Sequence, residues 1–142
     1  MSTFVVGGDN SAMADHIFDA QTAAGTNFVP AGFLHSFNGR PRAGQWHIGQ
    51  PGCSTGDKIR AIEQYGPAVE CDEFPMNAMD LGGRSHHPML VSLRYVPLSQ
   101  NKSVGAMWNN LVNSSGMRSK AGKKALVVAW REIPVSVYIP VK

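Results

Sequence analysis

The sequence has only two cysteines, no Cys-x-x-Cys pair, and no apolar run approaching the roughly 18 residues of a membrane-spanning helix. Two cysteines and five scattered histidines supply no zinc-ligand spacing, so no structural zinc site is expected. No basic stretch followed by an apolar core opens the chain, as it would in a secretory leader, and the expectation is a soluble mature form without membrane contact. The 15 glycines and 9 prolines show no period, which excludes a collagen-like chain and predicts many turns. Cys53 and Cys71 admit one pairing, a disulfide worth about 3 kcal/mol in an oxidising compartment, or else remain two buried thiols.

What is present is a chain of 142 residues, 43% hydrophobic and 16% charged, the size of one globular domain. Its net charge of +3 is unevenly spread. Residues 1–101 carry six basic and nine acidic side chains, whereas residues 102–142 carry seven basic ones and a single acid, Glu132. A polyanionic partner would meet the carboxyl-terminal third, unless that surface serves only solubility.

Periodicity and turn signals divide the chain into short elements. Ser11 is placed to cap a helix running to about Ala24, with Met13, His16, Ile17 and Ala20 on one face. Phe33–Phe37 and Trp46–Ile48 read as short strands between turns. Asp57 is a candidate N-cap for a helix over 58–65, with Ile59 and Ile62 inward, Lys58 and Arg60 outward, and Gly66-Pro67 at its end. Ala68 to Met76 reads as a strand stopped by Pro75, and Leu90–Val96 as a second.

Ser99 would then cap a long helix to about Ser115, whose stripe Val104, Met107, Trp108, Leu111 and Val112 belongs in a core. Ala125–Trp130 and Val135–Ile139 close the series as strands. The order predicts an α+β fold with a largely antiparallel sheet. Residues 1–50 read as an amino-terminal extension and 51–142 as the main domain.

Chemistry concentrates at Cys71-Asp72-Glu73-Phe74-Pro75 and at Asn101. Adjacent carboxylates in an apolar strand need a cationic or hydrogen-bonding partner, because burying an uncompensated charge costs several kcal/mol. Strand geometry sends neighbouring side chains to opposite faces, so both enter one site only if the strand ends or bulges there. Asn101, in the first turn of the long helix, offers either a cap or an amide oxygen for a hard divalent cation. Carboxylates, an amide and basic surroundings form the inventory of a metal-dependent phosphodiesterase. His86 and His87, before Pro88, offer another base or are exposed loop residues, and His16, His35 and His47 have no partner at a recognisable spacing.

The segments Cys71-Asp72-Glu73-Phe74-Pro75-Met76-Asn77-Ala78, Gly82-Gly83, and Arg94-Tyr95-Val96-Pro97-Leu98-Ser99-Gln100-Asn101-Lys102-Ser103-Val104-Gly105 resemble the NucA/NucB family of small non-specific deoxyribonucleases. The resemblance runs from about Cys53 to about Trp130 and leaves residues 1–50 unmatched. It implies a ββα-metal core, a hairpin plus a long helix that holds one divalent ion, Mg2+ or Mn2+, against the scissile phosphate.

Asp72 then takes the general-base position, with Glu73 and Asn101 organising the metal. Arg60, Arg94 and Lys102 contact phosphates, as the basic residues Lys120, Lys123 and Lys124 would by their charge. Two positions depart from the family pattern: Gln100 stands where it has an acid, and Lys102 where it has an arginine. The expected function is DNA hydrolysis without sequence preference. The expected setting is a secreted nuclease or the toxin domain of a delivered effector, with an immunity protein as partner. The alternative is an inactive module that binds nucleic acid without cutting it.

Overall fold

Alternation of buried and exposed residues sets the first strand. In a computed structural model that describes residues 2–23, 33–36, 45–76, 79, 91–117 and 123–130, β1 (Ser2–Val6) buries Phe4 and Val6 and exposes Val5. A 3-10 turn at Gly8–Asn10 leads into α1 (Ser11–Ala23), so Ser11 is already helical and does not cap it. The later elements are β2 (Phe33–Ser36), α2 (Thr55–Tyr65), β3 (Val69–Phe74), β4 (Ser92–Pro97), α3 (Leu98–Ser114) and β5 (Lys124–Ala129). Among the described residues, no helix is long and apolar enough to cross a membrane.

The fold is α+β, and the strands among the described residues form two sheets. β5 lies between β1, which it pairs in parallel, and β2, which it pairs in antiparallel fashion. β3 and β4 form a separate antiparallel pair. The expectation of a largely antiparallel sheet thus holds for β2, β3 and β4 but not for β1, whose carboxyl-terminal partner was not legible from local pattern. β3, β4 and α3 follow one another as a strand pair and a long helix.

One apolar cluster joins Phe4, Met13, Ile17, Phe74, Val96, Val104, Trp108, Val112 and Val127. Its members come from both sides of residue 50, so the segment read as an extension supplies β1 and α1 to the same core as the segment 51–142. The helical stripe of α3 is buried as expected at Val104, Trp108 and Val112, while Met107 lies at its exposed edge. Phe4 and Trp108 meet edge to face, with ring centroids 5.2 Å apart.

A second cluster on the other face of the β3–β4 pair gathers Cys53, Ala61, Cys71, Val91, Leu93 and Tyr95. Cys53 and Cys71 are joined in a disulfide, which settles the alternative left open by the sequence. The loop before α2 must run close against β4 for this to happen. At Gly52, with φ +97°, a Cβ would fall 2.3 Å from the Leu93 carbonyl oxygen, so only glycine suits the position.

Several local expectations are corrected. Trp46–Ile48 is not a strand but part of consecutive turns, closed by Ile48 N–H to Gln45 O and Gln50 N–H to His47 O. The N-cap of α2 is Ser54, not Asp57. The Ser54 hydroxyl accepts from the Asp57 N–H at 3.2 Å, and the Asp57 carboxylate accepts from the Ser54 N–H at 3.0 Å.

Ala61 is the buried residue of α2, and Ile59 is 54% exposed. α3 starts directly from β4, with Pro97 rather than Ser99 at the cap position. Its first N–H, on Leu98, donates to the Ala68 carbonyl at 2.9 Å, so no capping side chain is needed there. The expected strand Val135–Ile139 lies outside the described residues.

Candidate active site

Side chains of alternate residues on β3 and β4 share a face. Glu70, Asp72 and Phe74 pair across the strands with Val96, Arg94 and Ser92. Phe74 and Val96 are core, and the polar members of this ribbon all find partners on the helices that cover it.

Asp72 meets α1. Its Oδ2 lies 2.7 Å from Nδ1 of His16, whose Nε2 is 3.0 Å from Oγ of Ser92. His16 is fully buried and the Asp72 side chain is 13% exposed. A buried imidazole must satisfy both ring nitrogens. An ionised carboxylate only accepts, so Nδ1–H donates to Asp72, and Nε2 pairs with the Ser92 hydroxyl, which can serve as donor or acceptor. This contact answers the requirement for a partner beside the carboxylate pair.

Asn101 meets the same ribbon from α3, donating through Nδ2 to Oε1 of Glu70. Its amide oxygen is the atom left for a cation. Asp72, Glu73 and Asn101 together line one cavity of about 70 Å3, walled by apolar core residues including Phe4, Met13 and Trp108. Glu73 also lines this cavity, although its partner in the register, Leu93, belongs to the opposite face of the strand pair, and its Oε2 is shielded from solvent.

Among the described residues, no three His, Cys, Asp or Glu side chains cluster to hold a metal. By residue type, two carboxylates and an amide match what a magnesium-like ion takes from a protein, since such an ion keeps several waters, although the wall they share is mostly apolar. A cavity of this size has room for water as well.

Gln100 has a different task from the one its position suggested. Its Oε1 accepts from the N–H groups of Ala12 at 2.9 Å and Met13 at 3.3 Å, capping the first turn of α1. It is thereby a bracket between α3 and the helix that carries His16. It does not line the cavity, so the missing acid removes no donor from it.

The basic residues separate into groups. Arg94 pairs with Asp19 of α1 at 2.9 Å and Arg60 with Asp57 at 2.5 Å, and both arginines line a second cleft. Asp57 is held below the ordinary aspartate range, first by the Ser54 hydroxyl, then by the Ser54 N–H, against a small opposing effect of burial, with the Arg60 hydrogen bond and charge also lowering it. Lys102 is exposed in the first turn of α3. Lys123 is exposed and donates to the Ser115 carbonyl at the other end of that helix, where a cation complements the helix dipole.

The 13 steps from Lys102 to Ser115 span roughly 20 Å of helix at about 1.5 Å per residue. Lys102 is therefore not brought together with Lys123 and Lys124, contrary to a single basic patch. Lys120, Arg118, His86 and His87 lie outside the described residues.

The sequence reading missed His16, Ser92, Glu70 and Asp19. One signal for His16 was present: it interrupts the stripe Met13, Ile17 and Ala20, and a polar ring on an apolar helix face needs buried partners. No protein-family model matches the chain, and no curated protein or solved structure matches it either.

Proposed function

We propose that the protein is a metal-dependent endonuclease that hydrolyses phosphodiester bonds of DNA. The observation that carries this reading is the convergence of Asp72, Glu73 and Asn101 on one cavity, with Asp72 held by a buried histidine. The resemblance of residues 71–105 to the NucA/NucB deoxyribonucleases supports it from the sequence.

Asp72 is the general base. With Oδ2 occupied by His16 Nδ1–H, Oδ1 is left to accept a proton from an attacking water. The dyad holds the carboxylate at one rotamer, so no side-chain reorganisation accompanies proton transfer. Glu73 and the amide oxygen of Asn101 would hold Mg2+ or Mn2+. That ion would stabilise charge on the phosphate oxygens and on the leaving 3′ oxygen. Glu70 orients Asn101 by accepting from its amide nitrogen, which turns the oxygen away from that bond.

The Cys53–Cys71 disulfide supports maturation in an oxidising compartment, and with it a secreted nuclease or delivered toxin domain whose partner is an immunity protein.

The test is nicking of supercoiled plasmid with a panel of divalent metals. Cleavage that EDTA abolishes and that Asp72→Asn lacks is the expected result. Plasmid binding without cleavage in any metal overturns the nuclease and leaves the inactive binding module.

A further inference from the structure

Arg60 and Arg94 are not among the residues that line the Asp72 cavity. They line a second cleft of about 420 Å3 between α1 and α2, floored by β4. Asp15 and Asp19 stand on its α1 side, Asp57, Arg60, Gln64 and Tyr65 on its α2 side, and Arg94 between them. Arg94 is directly opposite Asp72 in the β3–β4 register, so the cleft adjoins the candidate base through one strand pair.

We infer that this cleft is a subsite for one unstacked nucleotide of single-stranded nucleic acid, with a phosphate on Arg94 and Arg60 and the base against Tyr65. The inference rests on the nuclease reading for its neighbour and extends it to a substrate class. Guanidinium forks match phosphate oxygens, and a tyrosine ring stacks on any base. Tyr65 is 37% exposed and so has a surface to offer. Gln64 presents an amide group suited to the polar edge of a base.

The volume falls in the range of about 300–1,000 Å3 usual for small-molecule sites, enough for one nucleotide. A paired and stacked duplex offers no base to enter it.

Asp57 already holds Arg60 at 2.5 Å, and Asp19 likewise occupies the Arg94 guanidinium that the phosphate would take. The Arg94–Asp19 pair is 39% and 48% exposed, so it is screened and readily exchanged. Asp19 thus acts as an internal competitor for the backbone, and its removal should tighten binding.

The experiment is fluorescence anisotropy with a labelled single-stranded DNA octamer and a labelled blunt-ended duplex, using the full chain in EDTA so that nothing is cut. Tyr65→Ala should weaken octamer binding about five- to tenfold, Tyr65→Phe should restore it, and neither should alter duplex binding. Asp19→Asn should tighten octamer binding by about two- to threefold at low salt. Octamer binding by Tyr65→Ala equal to wild type overturns the subsite, as does an equal loss for octamer and duplex.

Plasmid cleavage with added metal separates the two readings. Cleavage by wild type with octamer binding insensitive to Tyr65→Ala removes the subsite and keeps the nuclease. Absence of cleavage with opposite shifts for Tyr65→Ala and Asp19→Asn keeps the subsite and removes the nuclease.

Discussion

His16 and Asp72 stand 56 residues apart in the chain and are joined by a 2.7 Å hydrogen bond from ring nitrogen to carboxylate. The bond ties α1 to β3 and commits one oxygen of a residue that lines a cavity together with Glu73 and Asn101.

His16 should matter to turnover more than to substrate binding. His16→Asn keeps a donor near the Nδ1 position and should retain measurable cleavage, whereas His16→Leu should lose it, with kcat falling and KM little changed. Both variants lose the Ser92 contact, at a cost of about 1–3 kcal/mol for an unsatisfied buried group. Thermal melts distinguish that cost from the kinetic effect. Equal kcat in the two variants would return His16 to a packing role.

Asp72→Asn is the sharper test of the base. The amide oxygen can still accept from His16, so the fold should survive while cleavage drops about 10²- to 10⁴-fold. Asp72→Ala should lose activity and stability together, because it leaves the buried Nδ1–H of His16 without its acceptor. Plasmid cleavage and melting temperature of the two variants, read side by side, check this.

Asn101 and Gln100 are neighbours with opposite expectations. Asn101→Ala should raise the metal concentration needed for half-maximal cleavage, because an oxygen donor leaves the cavity. Gln100→Ala should leave the metal titration alone and destabilise the chain by about 1 kcal/mol through the lost cap on α1, and Gln100→Glu should restore that stability. A metal titration moved by Gln100→Ala would refute this division of labour.

Asp57 makes stability depend on acid. Its carboxyl is held below the ordinary value in the folded chain, chiefly by Ser54, so folding favours the ionised form. The contribution is complete above the unfolded aspartate value of about 3.9 and disappears as the pH falls through the lowered folded value. The difference in melting temperature between wild type and Asp57→Asn should therefore be larger at neutral pH than in strong acid. A gap independent of pH would remove the capping carboxylate as its source.

Reduction of Cys53–Cys71 should lower stability by about 3 kcal/mol, the worth of closing a loop of this length. The bridge sits in the cluster under α2, on the face of the strand pair away from Asp72. Reduced protein that remains folded at low temperature should therefore still cleave. Inactivation without unfolding, followed by circular dichroism beside the plasmid assay, would contradict this.

Local pattern made much of this molecule legible. The apolar stripe of α3 buries Val104, Trp108 and Val112 because a repeat of three and four residues leaves that helix one side for the core. Pro75 ends β3 as expected, and the carboxylate pair beside it announced a chemical site. Capping was less readable: Ser54 and Asp57 are both good candidates, and which accepts first depends on the backbone angles entering the helix. The turns at 45–52 escaped because alternating aromatic and polar residues suit a strand as well as a turn, and the glycines that decide it lie just beyond.

The sequence by itself determined the amphipathic helix, the strand carrying Asp72 and Glu73, and the type of side chain available for chemistry, because each depends on residues within a few positions of one another. Tertiary structure alone decided that β1 pairs with β5, that Cys53 meets Cys71, and that His16 reaches Asp72. Those contacts join residues separated by 18 or more positions, and their formation depends on the relief of buried charge and apolar surface summed over the whole core. No local window contains that sum, so the histidine that holds the candidate base looked, in the sequence, like one more residue on an apolar face.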